Sequence, residues 1–369
     1  MTRVVVASDK FKGSLTSNQV ATAVGEGVRR VVPDVTVDAI PVADGGDGTL
    51  AAAVAAGFEF VPATASGPTG EAVRTGYVRR GEVAVVELAD VSGLVRLPGG
   101  SPAPITATSR GTGELIAAAI DNGCTRIILG IGGSASTDGG TGLVRALGAT
   151  ISEDSLDLTA LRQRMAGIEV VVACDVDNPL TGPTGAAAVY GPQKGADSAQ
   201  IAELDAGLSR WADLVARETG RDLRDTPGAG AAGGVGFAAV ALLGAELRPG
   251  IELMLDLAGF QERLAGADLV VTGEGALDEQ TLHGKAVAGV AAAARAAAIP
   301  VVAVCGTNRL DRRRLADAGI AAAYSLTDLE PDVRRCIAEP IPLLRQLGER
   351  IAGDHLQSST MTATERGIA

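Results

Sequence analysis

Residues 126–148, RIILGIGGSASTDGGTGLVRALG, limit the fold more than any other stretch of this chain. The β-branched, apolar run over 127–131 predicts a buried strand. It stops at Gly132-Gly133-Ser134, and a second glycine pair follows at Gly139-Gly140. The helix expected next ends at Gly148, the position of a left-handed C-cap. A strand, a glycine loop and a helix in this order offer backbone N–H groups and a helix N-terminus to an anion. Asp138 lies in the middle of the loop. A carboxylate there repels a bare phosphate but can hold Mg²⁺ or accept a proton. The spacing G-G-S-x-S-x-D-G-G is neither GxGxxG nor GxxxxGKS, so the loop alone leaves a plain strand-to-helix turn open.

A chain of 369 residues has room for about two domains. Aromatic residues are only 2 %, so the cores must be built from Ala, Val, Leu and Ile. The same scarcity removes base-stacking platforms. With a formal charge of −12 and no basic stripe, nucleic-acid binding is not expected. Cys124, Cys174, Cys305 and Cys336 are scattered, with no Cys-x-x-Cys. This argues against a zinc cluster or a disulfide framework and for a cytoplasmic location. The chain enters an expected strand within three residues, so no signal peptide is expected. The Ala-rich stretches are broken by Gly, Arg and Pro, so no membrane span is expected.

Strands are predicted at 3–7 and 35–40. Between them lies a helix opened by a Thr16/Gln19 capping box and carrying Val20, Val24, Val28 and Val31 on one face. From about 59 to 106, short alternating stretches such as 76–78 and 83–88 suggest antiparallel hairpins. A strand at 170–174, a long amphipathic helix at 198–219 and a helix at 237–243 after a glycine-dense run follow. The pattern then returns to strand and helix. It gives a strand at 268–271 with its loop at 272–278, a helix at 285–298 and a strand at 300–305. Helix, strand and helix close it at 311–318, 321–325 and 333–352. The two ends share a style that the middle lacks. The expected fold is therefore α/β, with a parallel-sheet domain built from 1–62 plus 266–369 and a second, mixed-sheet α/β domain inserted at 63–265.

Candidate catalytic groups fall in loops after strands, where open α/β sheets bind ligands. They are Asp, Lys, Ser, Thr and Gly. Only His283 and His355 could serve a histidine-dependent mechanism, and no G-x-S-x-G nucleophile elbow accompanies them. Carboxylates that hold Mg²⁺, lysines that neutralise phosphate and glycine amides that cradle it are what phosphoryl transfer requires.

Six blocks occur in order: SDKFKGSLTS, PVADGGDGT, GIGGSASTDGG, ACDVDNPLTGPTGAAAVYGPQKGA, GAAGGVGFA and DLVVTGEGALDEQTLHGKAVAGVA. Together they resemble the bacterial glycerate kinase family of the class I type, over nearly the whole chain. The resemblance implies a flavodoxin-like α/β domain with a second domain inserted; an active site in the cleft between them is expected, and closure over the substrates would suit a two-domain kinase by excluding water. It implies phosphorylation of D-glycerate by ATP with Mg²⁺, usually to 2-phosphoglycerate, by a monomer or homodimer. It further implies site roles. Asp175, Asp138 and Lys12 are expected to be catalytic. Lys10, Ser14, Asp44, Gln193, Lys194 and Asn178 are expected to bind substrate. Gly132, Gly133, Ser134, Glu274, Asp278 and Lys285 are expected to bind the nucleotide, and Asp175 with Asp177 the metal. The chain departs from the family pattern at Asp47, where Glu is commoner, and at Thr137, where Asn is common. The general base stays open among Asp175, Asp138 and Asp44. Three competing readings remain: a kinase giving 3-phosphoglycerate, a dinucleotide-dependent reductase, and a non-catalytic sugar-acid-binding protein. The reductase lacks GxGxxG after the first strand.

Overall fold

In a computed structural model the chain divides into two compact units, residues 1–43 with 254–369, and residues 44–253. The structure describes residues 1–11, 13–43, 45–282 and 286–357. Thirteen strands are found among these: β1 (Arg3–Ser8), β2 (Thr36–Ala39), β3 (Glu59–Ser66), β4 (Ala72–Arg80), β5 (Val83–Glu87), β6 (Arg126–Gly130), β7 (Thr150–Ile151), β8 (Leu156–Asp157), β9 (Glu169–Ala173), β10 (Glu246–Arg248), β11 (Leu269–Leu277), β12 (Val301–Asn308) and β13 (Ala322–Ser325).

The first unit holds a five-stranded, wholly parallel sheet in the order β2-β1-β11-β12-β13. Counted within the unit this is 2-1-3-4-5, the flavodoxin-like order, and its switch point lies between β1 and β11. Val4, Val6, Leu269, Val271, Val302 and Val304 face one core. The helix Ser17–Val31 covers them with Val20, Val24 and Val28, and the helix Pro340–His355 adds Leu344, Leu347 and Ile351. The Thr16/Gln19 capping box is formed as expected. The expected helix at 333–352 is two helices, Val333–Ala338 and Pro340–His355. Pro340 cannot continue the hydrogen-bond ladder and opens the second.

The second unit carries a six-stranded mixed sheet, β10-β9-β6-β5-β4-β3. β5, β6, β9 and β10 run parallel, while β3 and β4 are antiparallel hairpin strands. Alternation assigns the faces. Val170 and Val172 join Ile127, Leu129, Ala84 and Val86 in the larger core, under Leu115, Ile116 and Phe237. Val171 and Ala173 turn to the opposite face and meet Leu253. The short helix Thr49–Ala55 belongs to this unit.

Two elements differ from the sequence expectation. The TGEGAL segment, expected as a loop over 272–278, is strand, because β11 continues its pairing with β12 as far as Leu277↔Asn308. A Cβ at Gly273 would lie 2.3 Å from the Val304 carbonyl oxygen, so the glycine suits close strand pairing. The helix expected from 237 begins at Ala231, but its first turn is left-handed at Ala232, Gly233 and Gly234.

Candidate active site

In the second unit the glycine-rich blocks meet at the carboxyl ends of β5, β6 and β9. After β6, Gly132 and exposed Gly133 lead into buried Ser134. Gly133 accepts the Leu94 amide, and the Ala135 amide donates to Ser92, which aligns this loop beside residues 92–94. Residues 45–48 lie across the same end. A Cβ on Gly130 would be 2.6 Å from the Gly45 carbonyl oxygen, and one on Gly132 would be 2.7 Å from Gly46 Cα. A Cβ on Gly45 would be 2.4 Å from that of Ala173 at the end of β9. Backbone approaches this close require glycine.

Asp138 is the hub of the central loop. Its Oδ2 accepts from the Ser109 amide and hydroxyl, both at 2.9 Å, from the Gly142 amide at 3.1 Å and from the Thr108 hydroxyl at 3.3 Å. Its Oδ1 accepts the Gly140 amide at 3.0 Å. The carboxylate thus ties its own loop to the start of the helix Arg110–Asp121 and caps the helix Thr141–Ala146. Trp211, from the helix Ser198–Thr219, donates its indole N–H to Gly139 at 3.0 Å. The left-handed turn at 232–234 abuts this loop, with Gly233 accepting the Gly139 amide.

Lys194 is 2 % exposed. Its Nζ donates to Ser134 Oγ at 2.9 Å and to the Ser136 carbonyl at 2.5 Å. Burial pushes its pKa down to about 8, against the opposing pull of Asp138. The side chain therefore braces the loop from below, while neighbouring Gln193 is exposed. The buried hydroxyls of Ser136 and Thr137 make no hydrogen bond.

Asp175 and Asp177, after β9, are both exposed. Asp175 Oδ1 accepts the Gly250 amide at 2.8 Å, at the start of the helix Gly250–Leu257. Asn178 works inside its own loop. Its Nδ2 donates to the Thr184 carbonyl, and its Oδ1 accepts from the Tyr190 hydroxyl at 2.5 Å. Among the described residues no group of three or more His, Cys, Asp or Glu could hold a metal ion.

The first unit gathers a separate set at its switch point. The Ser8 hydroxyl and the Asp9 amide both donate to the Gly273 carbonyl, joining the ends of β1 and β11. Phe11 and Leu15 exchange backbone hydrogen bonds and bury their side chains. Lys10 is half-buried beside them, and the Ser14 hydroxyl donates to the Ile337 carbonyl at 3.3 Å. Glu274 and Asp278 are half-buried at the far end of β11. Asp278 accepts the Gln280 amide, and its own amide donates to Thr281. Lys12, Asp44, His283 and Lys285 lie outside the described residues.

Sequence reasoning missed Glu87, the last residue of β5 and only 5 % exposed. Burial holds its carboxyl above the usual range, partly offset by the Leu50 and Gly48 amides, and Asp47 and Asp90 push the same way as burial. The signal was present: a lone acid between apolar Val86 and Leu88 at a strand end.

A model of the glycerate kinase family matches residues 4–355. The chain belongs to the glycerate kinase family. It is 41 % identical over 343 residues to the glycerate kinase of Bacillus subtilis (strain 168), covering 88 % of this chain and 90 % of that one. It is 42 % identical over 344 residues to the glycerate 2-kinase of Escherichia coli (strain K12), with the same two coverages. A crystal structure of a protein assigned as glycerate kinase 2 from Salmonella typhimurium LT2 superposes with a TM-score of 0.83, at 39 % identity and over 99 % of both chains. Glycerate kinases are phosphotransferases with an alcohol group as acceptor, which agrees with the Asp, Lys and glycine chemistry of these loops. No described helix is long and apolar enough to cross a membrane.

Proposed function

We propose that this protein transfers the γ-phosphoryl group of ATP to D-glycerate with Mg²⁺, giving 2-phosphoglycerate, in the cytoplasm. Its four cysteines are unpaired, which suits a reducing compartment. The observation that carries the reading is the position of the motif blocks in a chain of this family. The loops of most of them lie at the carboxyl ends of parallel strands within each unit, where α/β sheets bind ligands.

Catalysis of phosphoryl transfer is positioning plus electrostatic stabilisation. Lys10, Lys12 and Ser14 are proposed to meet substrate anions, with Asp44 and Gln193 completing substrate binding. The Gly132-Gly133 amides are proposed to cradle nucleotide phosphate, with Glu274, Asp278 and Lys285 as further nucleotide contacts. Exposed oxygen donors at Asp175 and Asp177 fit Mg²⁺, which is commonly held by one or two carboxylates together with substrate phosphates. When bound there, the ion would neutralise charge developing on the transferred group.

The hydrogen bonds rank the candidate bases. The oxygens of Asp138 are taken up within the fold by five donors from its own loop and from the start of a neighbouring helix. Asp138 is therefore a loop-positioning group, and Asp175 is the preferred base for the glycerate hydroxyl. Lys194 and Asn178 act on loop geometry, because each is committed to partners within the unit. ³¹P NMR of the protein with ATP, Mg²⁺ and D-glycerate tests the reading. The expected outcome is a monoester resonance at the position of 2-phosphoglycerate. A resonance at the 3-phosphate position would keep the kinase and change the acceptor hydroxyl. Intact ATP with no new resonance would overturn the proposal.

A further inference from the structure

Glu87 hydrogen-bonds to the Gly48 and Leu50 amides rather than to the central loop, and it is a deeply buried acid of the second unit. Its Oε2 accepts the Leu50 amide at 2.9 Å and its Oε1 the Gly48 amide at 3.2 Å. Leu50 lies in the first turn of the helix Thr49–Ala55, whose own N-cap, Gly48, has no side chain to offer and a φ of +99°. The orphan amides that a local Ser or Asp would ordinarily satisfy are satisfied from another strand. The bonds are made out of water, the setting in which hydrogen bonds are strongest.

The loop held in this way is the one that crosses the strand ends. Gly45 and Gly46 touch Gly130, Gly132 and Ala173 through bare backbone. Such a contact has no side chains to interlock, so its register depends on tethers at its margins. Glu87 supplies two of them from the end of β5, one strand from β6.

We infer that Glu87 is a positioning residue for the reaction, fixing residues 45–48 across the strand ends through its grip on the Gly48 and Leu50 amides. The inference rests on the kinase reading for its catalytic consequence, which assigns Asp44, next in sequence to residues 45–48, to glycerate. The grip itself does not depend on that reading.

The test is Glu87→Gln. The amide side chain keeps one acceptor oxygen and turns an N–H₂ group toward a backbone donor, so one tether is lost at nearly constant volume. Hydrogen–deuterium exchange read by mass spectrometry should show at least tenfold faster exchange in peptides covering 45–52, with peptides from 3–8 and 301–308 unchanged. The KM for D-glycerate should rise at least fivefold, and by more than the KM for ATP. A general loss of stability would move neither quantity selectively. Should E87Q fail to fold, Glu87→Asp keeps the carboxyl group on a shorter stem, and the same two selective changes are expected at smaller size. Unchanged exchange over 45–52, or equal changes in both KM values, would overturn the inference. If the wild-type protein phosphorylates no glycerate, the kinase reading fails, and the exchange experiment still decides whether Glu87 holds the loop.

Discussion

At the scale of single residues, the structure divides acids and bases into those that can meet a ligand and those committed to the loops. Lys194 is the clearest committed group. Its ordinary pKa of 10.5 falls to about 8 on folding, chiefly through burial. Between those values the unfolded chain holds the extra proton, so raising the pH through that window favours the folded state. Lys194→Met removes the titration. Urea unfolding at pH 7 and at pH 10 should therefore show the stability of wild type relative to K194M shifting in favour of wild type at the higher pH. Asp138→Ala strands five donors, and hydrogen bonds to a charged group are the strong ones. It should lower the unfolding free energy by about 3 kcal/mol, read from the same urea curves. The sequence marked both residues as candidates for catalysis or substrate binding but not the contacts they make within the fold. Spacing shows that a lysine follows a glycine loop; it does not show that the side chain turns inward. Asp177 and Gln193, by contrast, are exposed.

At the scale of elements, the glycines separate by what surrounds them. Gly233 has φ +68°, and a Cβ there would lie 2.0 Å from the Ser136 carbonyl oxygen. Gly244 has φ +66° with nothing within 4 Å of a Cβ. Gly244→Ala should cost only the left-handed backbone term, about 1 kcal/mol. Gly233→Ala adds a backbone clash against the central loop and should cost on the order of 3 kcal/mol or more, with loss of activity. Thermal unfolding of the two variants side by side checks the contrast. Element type was legible where periodicity was strong, as in the helices Ser17–Val31 and Ser198–Thr219. It failed at TGEGAL, because glycine was read as loop where a neighbouring strand needed close approach. It also failed to foresee the left-handed turn at 232–234, which depends on residues 136–139, nearly a hundred positions away.

At the scale of the molecule, the parallel sheet and the mixed sheet were legible because each strand type has its own pattern. Parallel strands buried on both faces read as unbroken apolar runs, and hairpin strands alternate. Each sheet has its own core of Val, Leu, Ile and Ala. Two such cores make two cooperative units, so calorimetry should give a measured unfolding enthalpy larger than the van't Hoff value. A ratio of one would show a single cooperative unit. The sequence could suggest two units but not Glu87's tethers, since no local pattern records a hydrogen bond between an acid and amides nearly forty residues earlier.

The pairing of β1 with β11 also has a consequence during synthesis. The Arg3 amide bonds to a residue 265 positions further along the chain. At roughly 5–20 residues per second, the first strand waits on the order of 10–50 s for its neighbour to leave the ribosome. Throughout that interval Val4, Val5 and Val6 have no finished sheet to enter, and the whole of the second unit is synthesised before β11 appears. The most buried strand of the first sheet is thus the one longest open to wrong partners. Its sheet can close only once about three quarters of the chain has been made.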